Sequence, residues 1–303
     1  MNRQDFIKLS LGAIAASTLP TPPIFGQAGP KLPTGKAKFK KSLKIGMVEG
    51  AMPLLEKFKL LKELGYDGVE LDSPSPLDRQ EVLAAKAQTG LLIPGVVCSE
   101  HWKSPFSSPD AAVRAKCAAA MQTALEDCRA YGGTTVLLVP AVVNAEVSYA
   151  EAYTRSQAEI KKLLPLAKKT GVKIAIENVW NNFLLSPLEA ARYIDEFKHE
   201  MIGWYFDVGN IVRYGFPDHW IKILGKRILK VDIKEYSRKL AEDKGIWKGF
   251  EAELTEGDCN WPRVMQALAE IGYTDGWGSA EVPGGNADRL RKISEGMDKI
   301  NQS

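Results

Sequence analysis

Eight short apolar runs recur along this chain, and the stretches between them carry helical periodicity. The runs cover residues 43–49, 68–73, 92–99, 134–141, 172–179, 202–208, 228–234 and 278–282. Most are near-continuous in Val, Ile and Leu, as strands buried on both faces are. Between them, Leu54, Phe58 and Leu61 fall at i, i+4 and i+7, one face of a helix over 53–64. Residues 111–130 are Ala-rich behind the start signal Ser108-Pro109-Asp110, and 157–169 is a further helix with Gly171 as its stop. Eight β-then-α units in about 260 residues predict a single-domain (β/α)8 barrel, for which ~250 is typical. The rival, a doubly wound open sheet, carries a G-x-G-x-x-G turn after its first strand. Here that turn reads Glu49-Gly50-Ala51-Met52-Pro53.

Ahead of the barrel, MNRQDFIKLS leads into LGAIAASTLP and then Pro-rich sequence. A charged start, a short apolar stretch and the small-x-small site Gly26-Gln27-Ala28 predict an export signal over 1–28 and a periplasmic protein. The run Asn2–Lys8 resembles a twin-arginine signal with Gln4 where the second Arg would stand. Residues 29–42 read as a linker and 43–303 as the barrel domain. No later stretch is apolar enough to span a bilayer.

Composition narrows the chemistry. Forty Lys and Arg against 37 Asp and Glu give a net charge of +3, too balanced for a broad nucleic-acid surface. Only three histidines are present, too few for a centre built from imidazole. Cys98, Cys117, Cys128 and Cys259 show no C-x-x-C spacing, which removes zinc-ribbon and thioredoxin readings.

A barrel of this kind carries its active site at the C-terminal ends of its strands. Glu177-Asn178 ends the fifth run, Asp207-Val208-Gly209-Asn210 the sixth, Asp232, Lys234 and Glu235 lie on the seventh, and Glu281 ends the eighth. Four adjacent strands thus each offer a carboxylate. Such a cluster repels itself unless a cation or protons hold it together. An all-oxygen divalent site suits Mg²⁺ or Mn²⁺, with Zn²⁺ or Co²⁺ as alternatives. Lys230 and Lys234 are candidates to neutralise Asp232. His101-Trp102 follows the third run, where an aromatic beside a hydrogen-bond donor suits a sugar ring. Trp180, Asn210 and Lys234 are further candidates to line the pocket. Glu256-Gly257-Asp258 reads as structural.

The segments IAIENVWNNFLLSP, YFDVGN, RILKVDIKEY and LTEGDCNWPRVMQALAEIGYTDGWGSAEVPGG resemble the signature stretches of the xylose-isomerase-like TIM barrels. That group includes D-tagatose 3-epimerase and L-ribulose-5-phosphate 3-epimerase. The resemblance spans residues 43–300 and rests on the order and strand placement of the E-N, D-V-G-N, T-E-G-D and A-E-V motifs. It implies one divalent metal held by Glu177, Asp207, Asp232 and Glu281, with Asp232 standing where the epimerases have His. It implies Glu177 and Glu281 as the acid/base pair that moves a proton beside a ketone, and Arg238 as a substrate contact. The expected activity is isomerisation or epimerisation of a non-phosphorylated keto-sugar, since sugar phosphates are normally intracellular. The alternatives are a lyase or hydrolase of 3-keto-glycosides and a non-catalytic sugar-binding relative. The expected partner is a small sugar or glycoside; a homo-oligomer is left open.

Overall fold

The structure, a computed structural model, describes residues 36–303. The export segment at 1–28 and the first half of the expected linker lie outside the described residues. Eight parallel strands form one sheet: β1 (Lys38–Leu43), β2 (Leu71–Ser73), β3 (Gly95–Cys98), β4 (Thr135–Leu138), β5 (Lys173–Glu177), β6 (Ile202–Asp207), β7 (Ile228–Ile233) and β8 (Asp275–Ala280). Their order is β1-β8-β7-β6-β5-β4-β3-β2. The two ends of that order meet. The Glu70 N–H donates to the Leu43 carbonyl at 2.8 Å, and the Ile45 N–H donates to the Glu70 carbonyl at 2.9 Å. The chain is a (β/α)8 barrel, as its sequence predicts.

Helices follow the strands: α1 (Leu54–Glu63), α2 (Arg79–Thr89), α3 (Ala111–Tyr131), α4 (Tyr149–Thr170), α5 (Pro187–Asp195), α6 (Val208–Val212), α7 (Pro217–Leu224), α8 (Arg238–Lys244), α9 (Trp261–Glu270) and α10 (Ala287–Gln302). The start signals act as expected. Asp110 caps α3 by accepting from the Ala112 N–H, and Gly171 closes α4 in the left-handed conformation at φ 73°. The start of α4 is eight residues earlier than its periodicity suggests. A capping box between Ser148 and Glu151 fixes it there. Among the described residues, no helix is long and apolar enough to cross a membrane.

The first strand needs correction. The run at 43–49 turns into a 3-10 turn at Ile45–Met47, and the strand is Lys38–Leu43. Residues 38–42, read as linker, are therefore barrel wall. Their lysines disguise the pattern: Phe39 is buried in the core, while Lys41 is buried against Ser294 (2.9 Å) and Asp298 (2.7 Å) of α10. A long aliphatic stem lets a lysine cover apolar surface and still reach a charge.

Side chains alternate between the helix-facing core and the barrel interior. The pairing of β6 with β7 contains a slip: Trp204 pairs with Ile228, but Tyr205 pairs with Lys230 and Asp207 with Asp232. Ser279 of β8 pairs with Asp232 from the other side. A one-residue slip moves a strand's whole side-chain set to the other face. Here it sets Asp232 beside Asp207 in the interior.

Candidate active site

Glu177, Asp207, Asp232 and Glu281 converge, each offering a carboxylate oxygen within 4.8 Å of the others'. Asp207 closes β6 and caps α6, its Oδ1 accepting from the Asn210 N–H at 2.8 Å. Asn178, the partner of Glu177 in the E-N motif, latches β5 to β6. Its Nδ2 donates to the Asp207 carbonyl at 2.7 Å, and its Oδ1 accepts from the Asp207 N–H (3.0 Å) and the Trp204 Nε1–H (2.9 Å). This pair of motifs fixes where the two carboxylates stand.

Two lysines enter the cluster. Lys234 Nζ lies 2.8 Å from Asp207 and 3.1 Å from Glu281. Lys44 Nζ lies 2.9 Å from Asp232 and 2.7 Å from Glu70. The cation at Asp232 is therefore Lys44, not Lys230 or Lys234. Lys230 instead lies 3.3 Å from Glu70, which also accepts from the Tyr205 hydroxyl at 2.8 Å. Glu70, Tyr205 and Lys230 form a buried polar layer within the barrel, which half-buried Lys44 joins from the cavity side. Buried charges persist where each has a partner of opposite sign.

The charges do not balance at the cluster itself. Four carboxylates against two ammonium groups leave two negative charges, with Glu70 and Lys230 cancelling each other. Neither oxygen of Asp232 nor Oδ2 of Asp207 receives a hydrogen bond, although both are fully buried and lysines stand at ion-pair distance. Burial is the largest influence on the group and raises Glu177, Asp207 and Asp232; the neighbouring carboxylates add to it. Burial also acts on Glu281, but Lys234 and Lys44 outweigh it and hold that group below the usual carboxylate range. The donor set is hard oxygen, four carboxylates face two lysines, and buried Asp232 Oδ2 has neither a hydrogen-bond donor nor a lysine at ion-pair distance. These residues fit a divalent metal of the Mg²⁺ or Mn²⁺ kind.

Two cavities open on the cluster. The wider, about 620 Å³, is lined by Lys44, Asp72, Ser75, Ser99, His101, Trp102, Glu177 and Glu281 among others. The narrower, about 280 Å³, is lined by Trp102, Glu177, Val179, Trp180, Asn210, Lys234, Trp247, Phe250 and Glu281. His101 Nδ1 accepts from the Val139 N–H at 3.1 Å, which leaves the proton on Nε2. Burial lowers its pKa to about 4, so it is a neutral donor at pH 7.

Most sequence candidates are brought together here: His101, Trp102, Trp180, Asn210 and Lys234 all line a cavity. Asn210 spends its Nδ2 on the Asn178 carbonyl at 3.0 Å, and the Trp180 Nε1–H donates to the Asn210 carbonyl at 2.9 Å. Arg238 is placed elsewhere. Its guanidinium donates to the Val212 and Gly215 carbonyls at 3.0 and 3.1 Å and lies over Phe216, so it clamps the loop after α6. The Glu256-Gly257-Asp258 loop is structural as read. Buried Glu235 accepts from the N–H groups of Thr255 and Cys259 and from Trp261 Nε1, and a Cβ at Gly257 would meet Glu235 Oε1 at 2.5 Å. Lys44, Glu70, Asp72, Trp247 and Phe250 escaped the sequence reading. The first three had a signal: isolated charges at alternate positions of the first two apolar runs.

Comparison with known proteins agrees with this architecture. The family model described as xylose isomerase-like TIM barrel matches residues 58–303. Over 249 residues the chain is 29% identical to L-ribulose-5-phosphate 3-epimerase UlaE of Escherichia coli O1:K1 / APEC, covering 77% of this chain and 85% of the relative. The counterpart in Salmonella paratyphi A is 24% identical over the same length. Among solved structures, the apo form of 3-keto-D-glucoside 4-epimerase YcjR from E. coli superposes with a TM-score of 0.73 at 17% identity, covering 88% of this chain and 100% of that one. L-ribulose 3-epimerase gives 0.70 at 18% identity, with coverages of 88% and 96%.

Proposed function

Because the chain belongs to the xylose isomerase-like TIM barrel family, we propose that it is a divalent-metal-dependent sugar isomerase or epimerase acting on a non-phosphorylated keto-sugar. The observation that carries this reading is the convergence of Glu177, Asp207, Asp232 and Glu281, two charges short of balance, at the junction of two cavities. A divalent cation held there would supply Lewis-acid polarisation of an α-hydroxy ketone.

The chain's own residues do the rest. Glu281, kept ionised by Lys234 and Lys44, accepts the proton from the carbon beside the ketone. Glu177 lines both cavities with Glu281 and returns a proton to that carbon. One turnover leaves Glu281 protonated and Glu177 ionised, so the pair resets by exchange with water. His101 offers its Nε2–H to a substrate oxygen. Both lysines at the cavities are committed to carboxylates, and Asp72, Glu177 and Glu281 line the wider one. That environment supports an uncharged sugar over a phosphate ester.

Incubation in deuterium oxide with Mn²⁺ and a panel of ketoses and 3-keto-glucosides, followed by NMR, tests the reading. Deuterium at the α-carbon with an inverted or migrated centre is expected, and Glu177→Gln and Glu281→Gln should each abolish it with the fold retained. Loss of the aglycone with an unsaturated keto-sugar as product would make the enzyme a lyase instead. No exchange and no elimination, despite sugar binding, would leave a binding protein.

A further inference from the structure

The narrower cavity has a construction that moving a proton does not explain. One wall is a packed aromatic cluster. Trp180 lies 4.8 Å from Trp247 and 4.8 Å from Phe250, centroid to centroid, with ring planes inclined by 45° and 44°. Trp180 is held from behind by the Arg213 guanidinium, 4.7 Å from its ring, and by its hydrogen bond to the Asn210 carbonyl. Phe250 is braced by Tyr236 at 4.9 Å. Yet Trp247 itself is 65% exposed, and Trp102 across the junction is 50% exposed. An indole left in water beside a polar cavity marks a surface that a ligand covers.

The two cavities share Trp102, Glu177 and Glu281, so a carbon held between the two glutamates would sit at their border. The wider one has the polar lining that a ring with several hydroxyls needs. The narrower one joins an aromatic wall of tilted rings to two polar residues, Asn210 and Lys234. A pyranose has that same division, with C–H groups on its faces and hydroxyls around its rim.

We propose that this aromatic shelf is a subsite for a second sugar ring, and that the substrate is a disaccharide-type glycoside with its keto-bearing ring in the wider cavity. This deepens the isomerase or epimerase reading and rests on it for which ring reacts. The shelf itself is tested without turnover.

The test is equilibrium binding by calorimetry to the Mn²⁺-loaded protein, using glucose, methyl β-glucoside, phenyl β-glucoside and cellobiose as unreactive probes. Cellobiose should bind about tenfold tighter than methyl β-glucoside, a difference of about 1.4 kcal/mol. Trp247→Ala should shrink that ratio to about twofold or less, and Trp247→Phe should keep most of it. Trp247 is exposed, so the alanine variant should fold, and circular dichroism checks this. Equal affinities in the wild type, or a ratio unchanged by Trp247→Ala, would overturn the proposal. Phenyl β-glucoside binding more tightly than cellobiose would also overturn it, by giving the shelf to an aglycone. An intact ratio without proton exchange on any ketone would instead sink the isomerase reading and leave the subsite standing.

Discussion

Lys44 holds two buried carboxylates at once, and its removal is the sharpest single-residue test of the polar layer. Lys44→Met leaves Glu70 with Lys230 and Asp232 with no cation at ion-pair distance. Stripping one partner from a buried ion pair costs about 3–5 kcal/mol, so a large loss in urea unfolding is expected, partly restored by divalent cation. Two other groups give the protein a two-step acid sensitivity. Burial holds His101 at about 4 against its ordinary 6.5. Glu70, despite its burial, is held at about 2 by Lys44 and Lys230 against its ordinary 4.5. Both lie below their unfolded values, so each contributes stability at neutral pH that is lost on acidification. His101 acts between about pH 6.5 and 4, and Glu70 between about 4.5 and 2. Unfolding measured at pH steps should show both windows; Glu70→Gln should shrink the lower one, to which Glu281 also contributes, and His101→Asn should shrink the upper. These two residues were unequally visible beforehand. His101 stands out in its loop, whereas Glu70 looks like any strand charge until the interior is seen to hold two lysines for it.

Among the elements, the turn chemistry was legible and the strand edges were not. Asp110 and Gly171 act locally, through a hydrogen bond two residues away and a fixed φ, so sequence alone reveals them, whereas Glu235 holds its loop from 20 to 26 residues away. Ser148→Ala removes the cap of the 22-residue helix α4 and should cost about 1 kcal/mol in thermal unfolding, with binding unaffected. Gly257→Ala would force a Cβ against Glu235 Oε1 and the Tyr236 carbonyl, at 2.5 and 2.6 Å. A loss of about 1–3 kcal/mol is expected, the usual cost of overpacking. Strand β1 went unrecognised because its outward contacts are made by lysine stems. The run that follows it is apolar for a different reason: Met47 and Val48 pack as a turn at the barrel mouth.

At the scale of the whole molecule, a cation that binds only the assembled cluster must stabilise the barrel. At about a hundredfold over its Kd it adds about 2.7 kcal/mol, several degrees in Tm for a domain of this size. Differential scanning calorimetry with and without Mn²⁺ measures this, and Asp207→Asn or Asp232→Ala should abolish most of the shift. An unchanged shift in Asp232→Ala would make Asp232 purely the ion-pair partner of Lys44. We also propose that residues 1–28 are removed on export. N-terminal sequencing of protein recovered from the periplasm should begin at Gly29; intact Met1 confined to the cytoplasm would contradict it.

The sequence by itself determined the barrel, because eight apolar runs alternating with amphipathic helices leave few ways to bury both. It also determined which strands end in carboxylates, since a charge that interrupts an apolar run at the C-terminal end points into the mouth. Only the tertiary structure decided how those charges are shared. The register slip between β6 and β7 sets Asp232 beside Asp207, the pairing of β1 and β7 on either side of β8 brings Lys44 to Asp232, and closure of β1 on β2 sets Lys44 beside Glu70. Pairing of this kind depends on strand register and on residues nearly two hundred positions apart. A period of two along one strand carries no record of either.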